Sequence, residues 1–368
     1  MKIMYPDYDN SILSLANSIL KYFGVEHTHK TLTKLDSILD NGYKNVVLMV
    51  FDAMGSKNIE TVLPKESFLR EHMIDEISSV YPPTTVAATT TIESGLAPVE
   101  HSWLGWTLHF KEVNDNVTAF RNTNDNGDIV ADYNVATTYI PYKSIISKIN
   151  DTEKAKAYSI SPFGTCKVNS IEELVNSVEK ICNEEGRKYL YTYWPEPDHS
   201  MHGKGIFSED AKEWMRIIDK KVSELSTKLK DTLIIVTADH GHIDGENVLI
   251  QNHKKIVECL KHLPTIEPRA VNFHVKDDMK EKFEIEFKKE FGGSFILLSK
   301  EEVIDNKLFG IGKEHPRFNE FLGDYLGVAK GKVSIFNNKD EYDEMIGVHA
   351  GITEWEMKVP FIVVECNK

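Results

Sequence analysis

Asp and His residues at short spacings, and one run of threonines, carry the chemistry of this sequence. Asp198 and His202 stand four apart in Pro197-Asp-His-Ser-Met-His-Gly203, so one helical turn puts both on one side. Asp239 and His240 are adjacent in Thr237-Ala-Asp-His-Gly-His242, and a chain turn permitted by Gly241 lets both reach one ion. Asp52 closes the apolar stretch of Val50-Phe-Asp-Ala-Met-Gly55, and His349 lies between glycines in Gly347-Val-His-Ala-Gly351. Oxygen and nitrogen donors without thiolate suit zinc, or manganese or iron. In Tyr81-Pro-Pro-Thr-Thr-Val-Ala-Ala88 the two prolines set an extended entry, and Thr84 or Thr85 opens a helix running to about Ser94. Free N–H groups and the helix dipole favour an anion there. A hydroxyl in that place acts as an N-cap or as a nucleophile facing a phosphate.

For these groups to meet, each must sit at the end of an element aimed inward. Lys44–Phe51 is a continuous apolar, β-branched run, the pattern of a strand buried on both faces, and Asp52 follows its C-terminal end. Lys188–Trp194 and Thr232–Ala238 repeat the pattern, followed by the loop Pro195–His202 and by Asp239–His242. Helical patterns lie between them, over Ser170–Glu185 and Ser208–Leu229, and an amphipathic face of Ile12, Leu13, Leu15, Ala16, Ile19 and Leu20 precedes them. Strands alternating with helices predict an α/β fold with a mostly parallel central sheet and helices on both faces. Ligands bind such sheets beyond the carboxyl ends of the strands, where polar residues stand three times in this chain. Val359–Glu365 reads as a further core strand. Two stretches read as additions to a single domain, 103–142 as a lid and 254–321 as a cap, the cap carrying a strand-like Arg269–Val275, a charged helix after it, and then Phe295–Leu298.

The bulk properties narrow the function. With a net charge of −14 and no dense Lys/Arg run, the chain is not built for a nucleic-acid polymer. The acidic balance suits carboxylates that bind metal. No apolar run approaches the roughly 20 residues that span a bilayer. Met1–Asn10 has no basic segment followed by an apolar one, as a signal peptide would. Cys166, Cys182, Cys259 and Cys366 form no CxxC pair and suit a reduced compartment. The expectation is a cytoplasmic enzyme with a small-molecule substrate and no membrane partner, its oligomeric state open.

Taken together, the motifs give the chain a family likeness. Phe51-Asp52, Pro83-Thr84-Thr85 with Ser94-Gly-Leu-Ala-Pro-Val-Glu-His101, Pro197-Asp198 with His202, Thr237-Ala-Asp-His-Gly241 and His349 extend over most of the sequence. In this order they resemble the alkaline phosphatase superfamily, most closely its nucleotide pyrophosphatase/phosphodiesterase branch. The resemblance implies an alkaline-phosphatase-like core and two divalent metal ions, zinc by preference. Asp198, His202 and His349 would hold one ion, and Asp52, Asp239 and His240 the other. Thr85, chosen over Thr84 by its spacing from Ser94-Gly-Leu96, would be the nucleophile, bound to the second ion and passing through a phosphothreonine. Where the branch has an Asn that contacts a phosphoryl oxygen, this chain has Trp106. Thr107 or a backbone N–H would take over that contact, so Trp106 and Thr107 are candidate substrate contacts.

Other readings of the same motifs are a phosphomonoesterase, a phosphonate hydrolase, a phosphomutase, and a binding protein on a degenerate hydrolase fold. A sulfatase would need a Cys or Ser in a setting with Pro and Arg, and Thr85-Val-Ala-Ala-Thr89 has neither. Monoesterases of the superfamily place an Arg close behind the nucleophile and use a third metal. Here Val86, Ala87 and Ala88 follow Thr85, and the first Arg downstream is Arg121, which predicts a preference for diesters.

Overall fold

The computed structural model describes residues 1–367. Its centre is a seven-stranded sheet in the order Met73–Ser78, Lys358–Cys366, Thr232–Thr237, Asn45–Phe51, Lys188–Trp194, Lys156–Ser161, Cys166–Lys167. Every neighbouring pair is parallel except the two made by Lys358–Cys366, which is antiparallel on both sides. The continuous apolar runs are explained by this position, because the central strands Asn45–Phe51 and Thr232–Thr237 are buried at every residue. Helices cover the sheet and share its core, among them Ile12–Tyr22, Ile171–Cys182 and Glu209–Ser226.

The register decides where function can sit. Phe51 pairs with Trp194, and Val50 with Thr237, so three central strands end level. Asp52, the Pro195–Pro197 turn and Asp239 therefore leave the sheet at one edge.

The two added stretches meet in a second sheet. Its six strands run Phe295–Ser299, Tyr325–Ala329, Ala270–Phe273, Thr265–Ile266, Thr107–Phe110, Asp115–Thr118, every pair antiparallel. The expected cap is thus continued beyond residue 321 by Tyr325–Ala329, and the lid supplies the hairpin at the other edge. Phe283, Phe287 and Phe291 form one face of the helix Lys280–Phe291 and pack on Phe273 and Phe295, closing a separate core behind this sheet. Among the described residues, no helix is long and apolar enough to cross a membrane.

Candidate metal centre

Each strand end aims its carboxylate by a different local device. After Asp52 the chain turns at Ala53, which takes a left-handed φ of 57°, and the Ala53 N–H donates to Asp239 Oδ1 at 3.1 Å. Asp198 opens the short helix Asp198–Lys204, and its Oδ2 lies 3.4 Å from Nε2 of His202 one turn later. Asp239 and His240 are wholly buried. Gly241 serves close approach rather than a special φ: a Cβ there would stand 2.0 Å from the Trp355 carbonyl oxygen, and its Cα meets Gly55.

Every imidazole of the expected set is oriented from behind. Nδ1 of His202, His240 and His349 faces the carbonyls of Gly347, Gly241 and Pro83 at 2.8, 3.1 and 3.3 Å. A carbonyl only accepts, so Nδ1 carries the proton and Nε2 turns its lone pair to the centre. The ligand atoms fall into two overlapping groups, each within 4.8 Å: Asp198, His202, His242 and His349, and Asp52, Asp198 and His240. Asp239 Oδ2 adds to the second at 3.6 Å from His240 Nε2.

The electrostatics of these groups call for cations. Burial, together with the nearby Asp198 and Asp239, pushes the Asp52 carboxyl well above its usual range. Burial also raises Asp239, partly offset by His240. Burial pushes Asp198 the same way, but His202, His242 and His349 together hold it below the usual range. Asp52 Oδ1, Asp198 Oδ1 and Asp239 Oδ2 are enclosed without a hydrogen-bond partner. Buried oxygens of this kind are costly unless an ion satisfies them. The spacings agree: His240 Nε2 is 3.3 Å from Asp52 Oδ1 and 3.3 Å from Thr85 Oγ1. Donors about 2.0–2.1 Å from a tetrahedral zinc stand about 3.3 Å apart. The residues present fit two divalent ions.

Thr84 and Thr85 separate cleanly. Thr85 is the first residue of the helix Thr85–Ser94, and its hydroxyl donates to Asp52 Oδ2 at 3.5 Å. Thr84 holds the N-cap position but makes no side-chain cap, because its hydroxyl donates to Glu267 Oε1 at 2.6 Å. Trp106 and Thr107 both line the cleft of about 750 Å³ that opens over Thr85, Asp198, His202 and His349. The backbone N–H of Trp106 is committed to Glu267 Oε1 at 2.7 Å and so is not free as a backbone donor to the cleft. The Arg121 guanidinium lies 5.3 Å above the Trp106 ring. Trp103 and Phe110 are core residues, with the Trp103 indole donating to the Ile140 carbonyl, and His109 stacks on His262.

Two residues of the site escaped the sequence analysis. His242 stands in the same Asp-His-Gly-His run as two expected ligands, yet was not counted with them. Glu267 lies in the cap, beside no motif, and reaches the site by tertiary pairing alone. Burial raises its carboxyl to about 8, although Thr84 and the Trp106 N–H partly oppose this.

Comparison with known proteins now bears on this arrangement. Residues 46–350 match the family model for type I phosphodiesterase / nucleotide pyrophosphatase. The chain belongs to this family. Ectonucleotide pyrophosphatase/phosphodiesterase family member 7 of Rattus norvegicus is 26% identical over 154 residues, which cover 40% of this chain and 31% of that relative. Murine ectonucleotide pyrophosphatase/phosphodiesterase 5 shares the fold, with a TM-score of 0.65 at 16% identity over 87% of this chain and 88% of that one. An inactive threonine-to-alanine variant of the murine protein, in complex with AMP, gives 0.66 at 16% identity, covering 87% of each chain. Phosphonoacetate hydrolase from Sinorhizobium meliloti 1021, in complex with phosphonoformate, gives 0.60 at 15% identity over 86% of this chain and 89% of that one. These solved structures share the overall fold described above.

Proposed function

We propose that the protein is a two-metal phosphodiesterase of the nucleotide pyrophosphatase type, with Thr85 as nucleophile and Zn²⁺ as the metal. The observation that carries this reading is the convergence of Asp52, Asp198, Asp239 and three oriented imidazoles on Thr85 at a helix N-terminus. Asp198, His202 and His349 would hold one ion, and Asp52, Asp239, His240 and Thr85 the other. Bound there, divalent ions supply neutralising charge and lower the pKa of a coordinated hydroxyl. Thr85 Oγ attacks phosphorus as the bond to the leaving oxygen breaks, which yields a covalent phosphothreonine ester and frees an alcohol. Water then splits the threonine–phosphorus link and regenerates the hydroxyl. The free N–H groups opening the helix Thr85–Ser94 favour the anionic phosphoryl group in both steps. Trp106 offers a face for a flat leaving group, and Thr107 a donor for a phosphoryl oxygen.

The AMP complex of the murine relative supports a nucleotide-sized ligand for this cleft. Both sheets would serve one catalytic unit, since the cap contributes Glu267 and the lid Trp106. The four free cysteines support a cytoplasmic setting.

Diester preference follows from charge. Apart from the metal ligands and the protonated Glu267, Asp125, Glu341 and Glu344 line the cleft against Arg121 and Lys204, and Lys204 pairs with Asp210 at 2.9 Å. A monoester dianion meets more repulsion here than a diester monoanion. The test is kcat/KM for an aryl phosphodiester and the matching aryl monoester, with an aryl phosphonate beside them. A diester-to-monoester ratio above one is expected. A ratio well below one would overturn the diester assignment and point to Arg121 as the compensating charge.

A further inference from the structure

We propose that His242 is a fourth protein ligand of the ion held by Asp198, His202 and His349, an inference that rests on the two-metal reading. His242 is fully buried, and its Nε2 lies 3.0 Å from Asp198 Oδ1. Neither atom has a hydrogen-bond partner, so the contact is close but not directed along an N–H. An enclosed nitrogen and oxygen this close, with no well-directed hydrogen bond, form the kind of pair that a cation between them satisfies, and Asp198, His202, His242 and His349 each offer an atom within 4.8 Å of the others. The His242 ring also stands 4.6 Å from that of His202 and 5.2 Å from that of His349, centroid to centroid.

The backbone is built to hold His242 there. Asn58 accepts from the His242 N–H at 3.1 Å and donates to its carbonyl at 3.2 Å. The next two residues, Ile243 and Asp244, pair antiparallel with Val348 and Gly347, which ties His242 to the loop carrying His349. Gly347 leaves room for the ring, since a Cβ there would stand 2.7 Å from His242 Nδ1.

The consequence would be a site of three imidazoles and one carboxylate, with four protein donors for one ion. The nitrogen-rich site would also favour later first-row metals more strongly than the oxygen-rich one of Asp52, Asp239, His240 and Thr85.

The alternative is that His242 only positions Asp198 by hydrogen bonding, and His242→Gln keeps an amide donor while removing the imidazole. Zinc-loaded wild type, His242→Gln and His242→Leu are titrated with a chromophoric chelator, with circular dichroism as the check on folding. In both variants one of two zinc ions should loosen by about tenfold or more, and the other should not. Wild-type affinity for both ions in His242→Gln overturns the proposal. In wild-type protein loaded with ¹¹³Cd and labelled with ¹⁵N-histidine, one cadmium should couple to the Nε2 atoms of His202, His242 and His349. Coupling that omits His242 overturns the proposal and leaves the two-metal reading intact. Wild-type protein that binds no metal overturns both.

Discussion

Thr84 and Thr85 are adjacent and chemically alike, and one helix position separates their fates. Thr85 Oγ1 faces Asp52 and His240, while Thr84 Oγ1 is bound to Glu267. Thr85→Ala should therefore lose nearly all turnover in kcat with KM little changed, and should keep both metals, as steady-state kinetics and elemental analysis will read. If Thr84→Ala proved the dead variant and Thr85→Ala an active one, the nucleophile would be misassigned. Glu267 gives a second prediction. Its folded pKa, raised to about 8 by burial, exceeds its ordinary 4.5, so the folded state holds an extra proton between those values. Its contribution is complete below the lower value and is lost as pH rises through the upper one. Melting of the metal-free protein from pH 5 to 8.5 should thus fall more steeply in wild type than in Glu267→Gln, and equal slopes would contradict the assignment. The candidate Asp and His residues that the structure brings together were legible because each lies in a short motif, Asp52 and Asp239 just past strand ends and His202 one helical turn after Asp198. Glu267 was not, because only the pairing of Thr265–Ile266 with Thr107 brings it beside Trp106.

At the level of elements, the central strands were legible to within a residue, since burial on both faces demands continuous apolar runs. In the second sheet, the strand-like Arg269–Val275 and the charged helix after it were legible, and Phe295–Leu298 falls on a strand, but the sheet they join was not. Its strands are short, Thr265–Ile266 has two residues, and the pairings that join them into one sheet, Ile266 with Thr107 and Tyr325–Ala329 with both Ala270–Phe273 and Phe295–Ser299, span long sequence separations that no local pattern records. What fastens this sheet to the catalytic edge is a buried ion pair. Arg269 Nε and Nη2 donate to Glu356 Oε1 and Oε2 at 2.7 and 2.9 Å, with both side chains fully enclosed. Glu356 also accepts from the Gly351 N–H and the Thr353 hydroxyl, which fixes the turn after His349. Glu356→Gln leaves the guanidinium buried without its charge partner. Urea unfolding should show a loss of about 3–5 kcal/mol, accompanied by weaker binding of the ion proposed for Asp198, His202 and His349. A loss under about 1 kcal/mol would mean the pair behaves as a solvated one.

Across the whole molecule, the level ends of three parallel strands, one turn of helix and one cap carboxylate build a site that no single segment contains. The acidic balance of the chain reappears there as a cluster of buried carboxylates, Asp52, Asp198 and Asp239, with further acids along the cleft. All of this converges on one atom, Thr85 Oγ1. The most direct measurement is therefore rapid acid quench of the metal-loaded enzyme turning over an aryl phosphodiester, followed by peptide mass spectrometry. A phosphoryl adduct on Thr85 that appears before steady state and is absent from Thr85→Ala is the predicted result. Full turnover with no adduct on any residue, or an adduct on Thr84, would contradict it.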